Sequence, residues 1–398
     1  MIITKCAGAL AAVFLSIYII RIKPSANLAQ HLSYVQEIHS QSIAKNKRRR
    51  FLDDAKVYGG LLHQYSSIVN FQAYAGHFHP DVIETLKKHE DVEAVEEDKV
   101  YYTMALVTQY NPPIGLNLIS HRGLGQDHKG YVYDSSAGRG TFVYIVDTGI
   151  ATEMREFENR AMFGFNAVKT SRSTADEVGH GTHVAGTVGS KTYGVAKNCT
   201  MIAVKVFDRW SGALSDVLAG YDWSVKDIMM FDRKRVSSIN MSLGGAFSAS
   251  FNMAIDRAFL MDITTVVSAG NNGGPAAALS PASALGAITV GATDAWRKRA
   301  NFSNWGHVLT VFAPGVEVLS VWPDGSPYGN RSLSGTSMSA PHIAGLVAYL
   351  QGILSFRGAK AMKRAIKTLA TKKVVGDPMM SPNAFAFNNG GSRWHIPG

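Results

Sequence analysis

Short apolar runs separated by helix-periodic stretches make up most of the chain beyond about residue 105. The runs indicate strands that are apolar on both faces, and they span residues 142–146, 201–207, 239–243, 264–267, 288–290 and 309–312. Between them, segments such as 214–228 place apolar residues at i, i+3 and i+4, as a helix with one buried face does. This alternation predicts an α/β domain with three layers, α/β/α, and a mainly parallel central sheet. In such sheets the chemistry lies at the carboxyl ends of the strands.

The preceding segment, residues 18–104, is more charged and predicts a small α+β unit. We expect strands at 18–23, 68–74 and 92–95, and helices at 27–45 and from Pro80 onwards. The basic run at 45–50 is typical of a solvated loop, while a localisation signal or a processing site is also compatible with it.

The apolar run from Cys6 to Ile20 is shorter than the roughly 20 residues that a membrane-spanning helix needs. Because Lys5 precedes it, it predicts a secretory signal peptide over residues 1–17. An uncleaved anchor is the alternative, since Arg21 and Lys23 follow the run. We expect a secreted protein without stable membrane association.

Composition excludes several classes of protein. The chain has 398 residues, 46% of them hydrophobic, and 38 glycines, which is a globular composition and not that of a disordered, collagenous or coiled-coil chain. A formal charge of +10 raises the question of nucleic acid, but no finger, RRM-type or helix-turn-helix pattern accompanies it, so no such partner is expected. With Cys6 and Cys199 alone, neither a disulfide network nor a CxxC metal site is available.

Three polar residues lie in glycine-rich surroundings where an α/β domain carries its chemistry. Asp147 ends a strand, His180 stands between two glycines that would let other groups approach the imidazole, and Ser337 opens an apolar helical run. Taken singly, Asp147 could cap a turn and Ser337 could cap a helix. Together they supply what a serine nucleophile needs, which is a neighbouring base and a carboxylate that orients the base.

Two other kinds of site are disfavoured by the same motifs. His183 follows His180 at a spacing that suits a metal pair, but no glutamate stands in the HExxH place, so we expect no metal and a packed core histidine. The GxSxG pattern of lipases and esterases is missing, because Ser339 occupies its last position.

The three motifs VDTGI, GHGTHVAGTVGS and SGTSMSAPHIAG resemble those of subtilisin-family serine proteases, of the secreted fungal type similar to proteinase K. The resemblance covers residues 18 to about 390, and the order Asp147, His180, Ser337 is that of subtilisin. It implies that Asp147 orients the imidazole, His180 acts as base and then acid, and Ser337 attacks the scissile carbonyl. It also implies that Asn271 donates to the oxyanion beside the Ser337 backbone N–H. A turn amide is the plain structural interpretation of Asn271.

The resemblance also implies roles for segments between the His180 and Ser337 motifs. Two segments would pair with substrate as an added strand, one with Ser242, Leu243 and Gly244 and the other with Trp210, Ser211 and Gly212. Gly270, beside Asn271, is a further predicted substrate-binding residue. A strand-ending turn is the alternative for the glycines near 244. Broad specificity is expected, with aromatic or aliphatic P1 residues preferred.

Residues 18–104 resemble the inhibitory propeptide of the family, matching at 71–76 and 92–98. The propeptide would be cleaved between Met104 and Ala105, leaving 105–398 as the peptidase domain, and would inhibit the enzyme until it is degraded.

Departures from the family pattern concern disulfides and calcium. Proteinase K-like enzymes often carry disulfides, whereas the predicted peptidase domain has Cys199 alone, so no stabilising disulfide is expected. A family calcium site uses carbonyls near Leu285 and Ala287 together with an aspartate, and Thr310 stands at the place of that aspartate. We therefore expect this site to be weak or empty and no cofactor to be required, although other calcium sites stay open.

Glycosylation sequons occur at Asn198, Asn240, Asn301 and Asn330. Asn240 lies in a predicted buried strand, and Asn330, in a Gly/Pro-rich loop, is the best placed.

These observations favour a monomeric, secreted, self-processing serine endopeptidase that acts on protein and peptide substrates. The fungal resemblance implies degradation of keratin or host protein. A non-catalytic relative that uses the fold for binding is the leading alternative. Basic residues cluster without acids at 357–373. A solvated helix face is the simpler interpretation of this cluster, and adsorption to anionic surfaces is the other.

Overall fold

The computed structural model describes residues 17–47, 58–98, 105–124, 130–168, 173, 175–354, 356 and 358–391. Contacts divide the chain into two units on either side of residue 102. The predicted signal peptide up to residue 16, the basic residues 48–50 and the cleavage residue Met104 lie outside the described residues. None of the described helices is long and apolar enough to cross a membrane.

The N-terminal unit is a four-stranded antiparallel sheet with two helices. Its elements are β1 (Ile17–Ile22), α1 (Leu28–Lys47), β2 (Gly60–Ile68), β3 (Phe71–His77), α2 (Pro80–Leu86) and β4 (Val92–Glu97). The strands are ordered β2-β3-β1-β4. Alternate residues of β1 and the apolar faces of α1 and α2 form one core, which contains Ile20, Leu32 and Ile83. The expected α+β unit is therefore present.

The strand predicted within 68–74 corresponds to β3, which begins at Phe71, but β2 was not predicted. A turn at Val69 and Asn70 separates β2 from β3, and Asn70 adopts a positive φ of 59°. The two strands form an antiparallel hairpin. β2 is exposed along most of its length, so its sequence lacks the apolar alternation that identifies a half-buried strand.

The larger unit is built around a nine-stranded sheet in the described part of the chain, ordered β18-β19-β15-β14-β12-β10-β7-β9-β8. The strands of the unit are β5 (Leu106–Gln109), β6 (Tyr131–Asp134), β7 (Phe142–Asp147), β8 (Ala161–Asn166), β9 (Thr200–Lys205), β10 (Ser237–Met241), β11 (Gly245–Ala246), β12 (Thr264–Ser268), β13 (Leu279–Ser280), β14 (Ile288–Thr293), β15 (Val311–Pro314), β16 (Val318–Val321), β17 (Asn330–Leu333), β18 (Thr371–Lys372) and β19 (Ala384–Phe385). The helices are α3 (Ile114–Ser120), α4 (His180–Gly189), α5 (Leu214–Met230), α6 (Ala249–Leu260), α7 (Thr336–Ile353) and α8 (Gly358–Leu369).

Helices cover both faces of this sheet, as the three-layer prediction requires. Along β7, Val143 and Ile145 belong to one hydrophobic core and Tyr144 and Val146 to another. Because successive side chains of a strand point to opposite faces, the two cores lie on opposite sides. The first core contains α4 and α7, and the second contains α5 and α6. Except for the β18–β19 pair, neighbouring strands of the sheet are parallel.

Candidate active site

The ends of three neighbouring parallel strands and the starts of two helices meet at one cleft of about 410 Å³. β7 ends in Asp147, β10 leads into Ser242, and β12 leads towards Asn271. On the helices, α4 begins at His180 and α7 places Ser337 in its first turn. All five side chains line the cleft, which lies at the carboxyl edge of the sheet. The residues of the three separate motifs are thus brought together.

Asp147 and His180 form a buried hydrogen-bonded pair. His180 Nδ1 lies 2.7 Å from Asp147 Oδ1, with side-chain exposures of 15% and 1%. The same Oδ1 accepts from the backbone N–H of Thr148 at 2.8 Å. Burial by itself lowers the pKa of His180, but the Asp147 carboxylate, with a smaller effect from Asp176, outweighs it and raises the pKa above its usual value. A proton taken up by this imidazole is therefore stabilised.

Ser337 lies at the N-terminus of α7, where backbone N–H groups have no partner within the helix. Its Oγ donates to the carbonyl of Ser242 at 3.1 Å, and Ser242 Oγ donates back to the Ser337 carbonyl at 2.8 Å. The partial positive charge of the helix end favours negative charge that develops beside the serine. The reciprocal pair also fixes the start of α7 against the segment that follows β10.

Thr336 fixes the orientation of the Asn271 side chain. Its backbone N–H and its Oγ1 both donate to Asn271 Oδ1 at 2.8 Å. With the carbonyl oxygen engaged, the amide Nδ2 is the donor that remains. A Cβ added at Gly335 would lie 3.5 Å from Asn271 Nδ2 and 3.7 Å from the Ser337 backbone nitrogen. The Asn271 amide nitrogen and the Ser337 backbone nitrogen therefore both lie within 4 Å of one point beside Gly335.

The predicted substrate segments also border the cleft. Leu243 and Gly244 follow Ser242 along one stretch, and Trp210, Ser211 and Gly212 form another. The Trp210 ring meets the His180 ring edge-on, with centroids 5.9 Å apart. Gly270 adopts a positive φ of 100°, and a Cβ there would lie 2.5 Å from Asn304 Nδ2.

Asp176 is a functional residue that the motif analysis missed. It is buried, and its carboxylate accepts from Thr148 Oγ1 and from the backbone N–H groups of Gly179 and Thr182, each at 2.8 Å. These bonds join the residue after Asp147 to the start of the helix that carries His180. The sequence signal for Asp176 was its position four residues before His180, because a carboxylate is favoured at the N-terminus of a helix.

The glycines beside His180 were expected to let a substrate backbone or another catalytic group approach the imidazole. Gly179 has a φ of 91° and packs against Trp322. A Cβ at Gly181 would lie 2.2 Å from the Gly149 carbonyl oxygen and 3.2 Å from Asp147 Cβ. Gly181 therefore allows α4 to lie close to the strand end that carries Asp147.

His183 is buried, as expected, and its Nε2 lies 3.0 Å from the carbonyls of Val318 and Arg331. Burial lowers its pKa to about 4, so it is a neutral core histidine and does not point at the cleft chemistry. Among the described residues, one group of three side chains has possible metal-ligand atoms within 4.8 Å of one another, namely His31, His89 and Asp91 of the N-terminal unit.

The sequons differ in accessibility. Asn301 and Asn330 are exposed, and Asn330 begins β17 instead of lying in a loop. Asn240 is buried. Asn198 Nδ2 donates to the carbonyls of Ser135 and Ser136 at 3.2 Å, so the nitrogen that would carry a glycan is already engaged.

Comparison with known proteins agrees with this geometry. The Subtilase family matches residues 138–386, and Peptidase inhibitor I9 matches residues 17–104. Alkaline protease 1 of Aspergillus clavatus is 45% identical over 93% of this chain and 90% of its own. Alkaline proteinase of Hapsidospora chrysogena is 43% identical over 94% of this chain and 92% of its own.

The fold comparison points the same way. A crystal structure of a cold-adapted subtilisin-like serine proteinase superimposes with a TM-score of 0.65 at 35% identity, over 70% of this chain and 98% of that one. The family match covers more than half of the chain, and the relatives align along almost its whole length. The chain therefore belongs to the subtilase family, and it is a serine endopeptidase made with an inhibitory propeptide.

Proposed function

We propose that this chain is a secreted, self-processing endopeptidase of broad specificity in which Asp147, His180 and Ser337 form the catalytic triad. The observation that carries the proposal is the buried 2.7 Å pair of His180 and Asp147 in the cleft that Ser337 lines. It acts as a monomer on extracellular protein, with keratin and host protein as substrate classes that follow from the family resemblance.

The first half of the reaction makes an acyl-enzyme. Ser337 Oγ attacks the carbonyl carbon of the scissile bond, and its proton passes to His180 Nε2. The Asp147 carboxylate holds the Nδ1–H and stabilises the imidazolium. His180 then gives the proton to the leaving nitrogen as the C–N bond breaks, and water repeats these steps on the ester to release the acid.

The negative oxygen that forms in each half is stabilised by two donors, Asn271 Nδ2 and the Ser337 backbone N–H. Thr336 holds Asn271 in place before substrate arrives. Because the Asn271 side chain is already held, little reorganisation of this amide is needed when the charge appears.

Substrate preference follows from the surroundings of the cleft. A second hollow of about 330 Å³ shares Phe207, Gly212, Leu243 and Gly244 with the cleft, and most of its remaining wall is apolar. A peptide paired through its backbone would place apolar side chains along these walls, and pairing of this kind is tolerant of sequence. We therefore propose cleavage after aromatic and aliphatic residues within broad specificity.

The full-length chain should process itself and label as a serine hydrolase. Purified protein is expected to split between Met104 and Ala105, to react with a fluorophosphonate probe and to cleave casein, mainly after aromatic and aliphatic residues. N-terminal sequencing locates the cut, and mass spectrometry of the casein fragments gives the P1 residues. A wild-type chain that stays intact and unlabelled would refute the proposed activity.

The replacement Asn271→Ala is expected to lower kcat by about 10²- to 10³-fold with little change in KM, because the donor acts on the transition state. The matched control is Asn272→Ala, since the side chain of Asn272 is not among the residues that line the cleft. A loss of similar size in both variants, or a loss confined to KM, would contradict the oxyanion role.

A further inference from the structure

We infer that Lys363 replaces the metal ion at the family calcium site, so that this part of the enzyme is held by an internal ammonium group. The site lies in the turn between β13 and β14, which contains Leu285, Gly286 and Ala287. Lys363 reaches it from α8, a helix 78 residues further along the chain from Leu285.

The ammonium group of Lys363 donates to the two carbonyls that would otherwise bind the calcium ion. Lys363 Nζ donates to the Leu285 carbonyl at 2.7 Å and to the Ala287 carbonyl at 2.5 Å. Unlike its neighbour Lys360, which is exposed, Lys363 is partly buried. The predicted solvated face of α8 therefore excludes this residue, whose charge is directed into the protein.

The other side-chain oxygens at this place already accept from the backbone, and the aspartate of the family site is missing. Calcium takes six to eight oxygen ligands, and protein calcium sites usually include carboxylates among them. Thr310 replaces the family aspartate, and its Oγ1 accepts from the backbone N–H of Thr289 at 3.3 Å. The nearby carboxylate of Asp256 accepts from the backbone N–H of Gly286 at 2.7 Å. The turn is thus held between an ammonium on its carbonyls and a carboxylate on its amide.

The same device occurs at a second place in the unit. Lys205 is fully buried, and its Nζ donates to the carbonyls of Thr148 and Ala175 at 2.9 and 3.0 Å. An ammonium group can serve two or three backbone carbonyls that converge from different segments. Lys363 does this where the family pattern places calcium, and it links α8 to the turn that leads into β14 of the nine-stranded sheet.

The test uses full-length protein carrying Ser337→Ala in every sample, so that neither self-cleavage nor activity affects the result. All six tryptophans lie beyond residue 105, and their fluorescence therefore reports thermal unfolding of the larger unit. Lys363→Met is expected to lower the unfolding midpoint by about 5 °C or more. The matched control Lys360→Met, the same change one turn earlier on α8, should stay within about 1 °C of the parent.

Charge reversal gives the decisive comparison. Lys363→Glu places a carboxylate beside the two carbonyls. In EDTA, its unfolding midpoint should therefore be lower than that of Lys363→Met. Millimolar calcium should recover part of this loss in Lys363→Glu and not in Lys363→Met, because the glutamate adds a carboxylate ligand to the two carbonyls and water can complete the coordination. The inference is overturned if Lys363→Met melts like Lys360→Met, or if Lys363→Glu responds to calcium no more than the parent does.

Discussion

Replacement of Ser337 by alanine is expected to lower kcat for peptide hydrolysis by about 10⁶-fold and to leave the chain uncut between Met104 and Ala105. The reason is chemical, since alanine keeps the backbone carbonyl that accepts from Ser242 Oγ at 2.8 Å. The side-chain bond that disappears is the one from Ser337 Oγ to the Ser242 carbonyl. Its loss costs about 1 kcal/mol, so the variant should fold. Hydrolysis of a fluorogenic peptide and gel analysis of the full-length chain measure the two effects.

Ser339→Ala is the matched control for this variant. Ser339 lies two residues further along the same helix, but it is fully buried and its Oγ donates to the Ala313 carbonyl at 3.1 Å. The control should retain processing and most of the activity. If the Ser337→Ala chain is still cut at residue 104 in the absence of other proteases, Ser337 is not the nucleophile of processing. Cleavage of this inert chain by added wild-type enzyme would show that its cleavage site is accessible.

The sequence was most informative where a residue's role is visible from its neighbours along the chain. Asp147, His180 and Ser337 each sit in a short motif at a strand end or a helix start, and topology requires such ends to converge. The central sheet was also predictable from local sequence, because strands buried on both faces have continuous apolar runs. The exposed strand β2 has no such run, and it was therefore missed.

Contacts between residues far apart in the chain could not be predicted from the sequence. Asn271 and Thr336 are 65 residues apart, and nothing in either motif indicates that one orients the other. Lys363 looked like one of several solvated basic residues until its two carbonyl partners were visible. Asp176 is an intermediate case, because its position before α4 suggests a capping role while its bond to Thr148 Oγ1 depends on the fold. These residues hold the catalytic groups in place, and such positions depend on tertiary packing.

The replacement Asp147→Asn is expected to lower kcat/KM by about 10⁴-fold and to change the shape of the pH profile. The asparagine amide can donate to His180 Nδ1, which leaves the hydrogen on Nε2. An imidazole in that form cannot accept the proton of Ser337 Oγ. The variant can be matured by tagged wild-type enzyme that is then removed, and kcat/KM is measured between acid and alkaline pH.

The pH profile separates this loss from general damage. His180 acts as a base only when it is neutral, and in the wild type the Asp147 carboxylate raises its pKa, so activity disappears as the pH falls through that raised value. With an uncharged amide, burial becomes the larger influence and lowers the pKa of His180, so the remaining activity should persist to lower pH.

The control is Asp227→Asn, because Asp227 accepts from Tyr144 on the opposite face of β7. Both rate and profile of that control should match the wild type. An acid limb of Asp147→Asn that stays at the wild-type pH would mean that Asp147 does not set the proton affinity of His180.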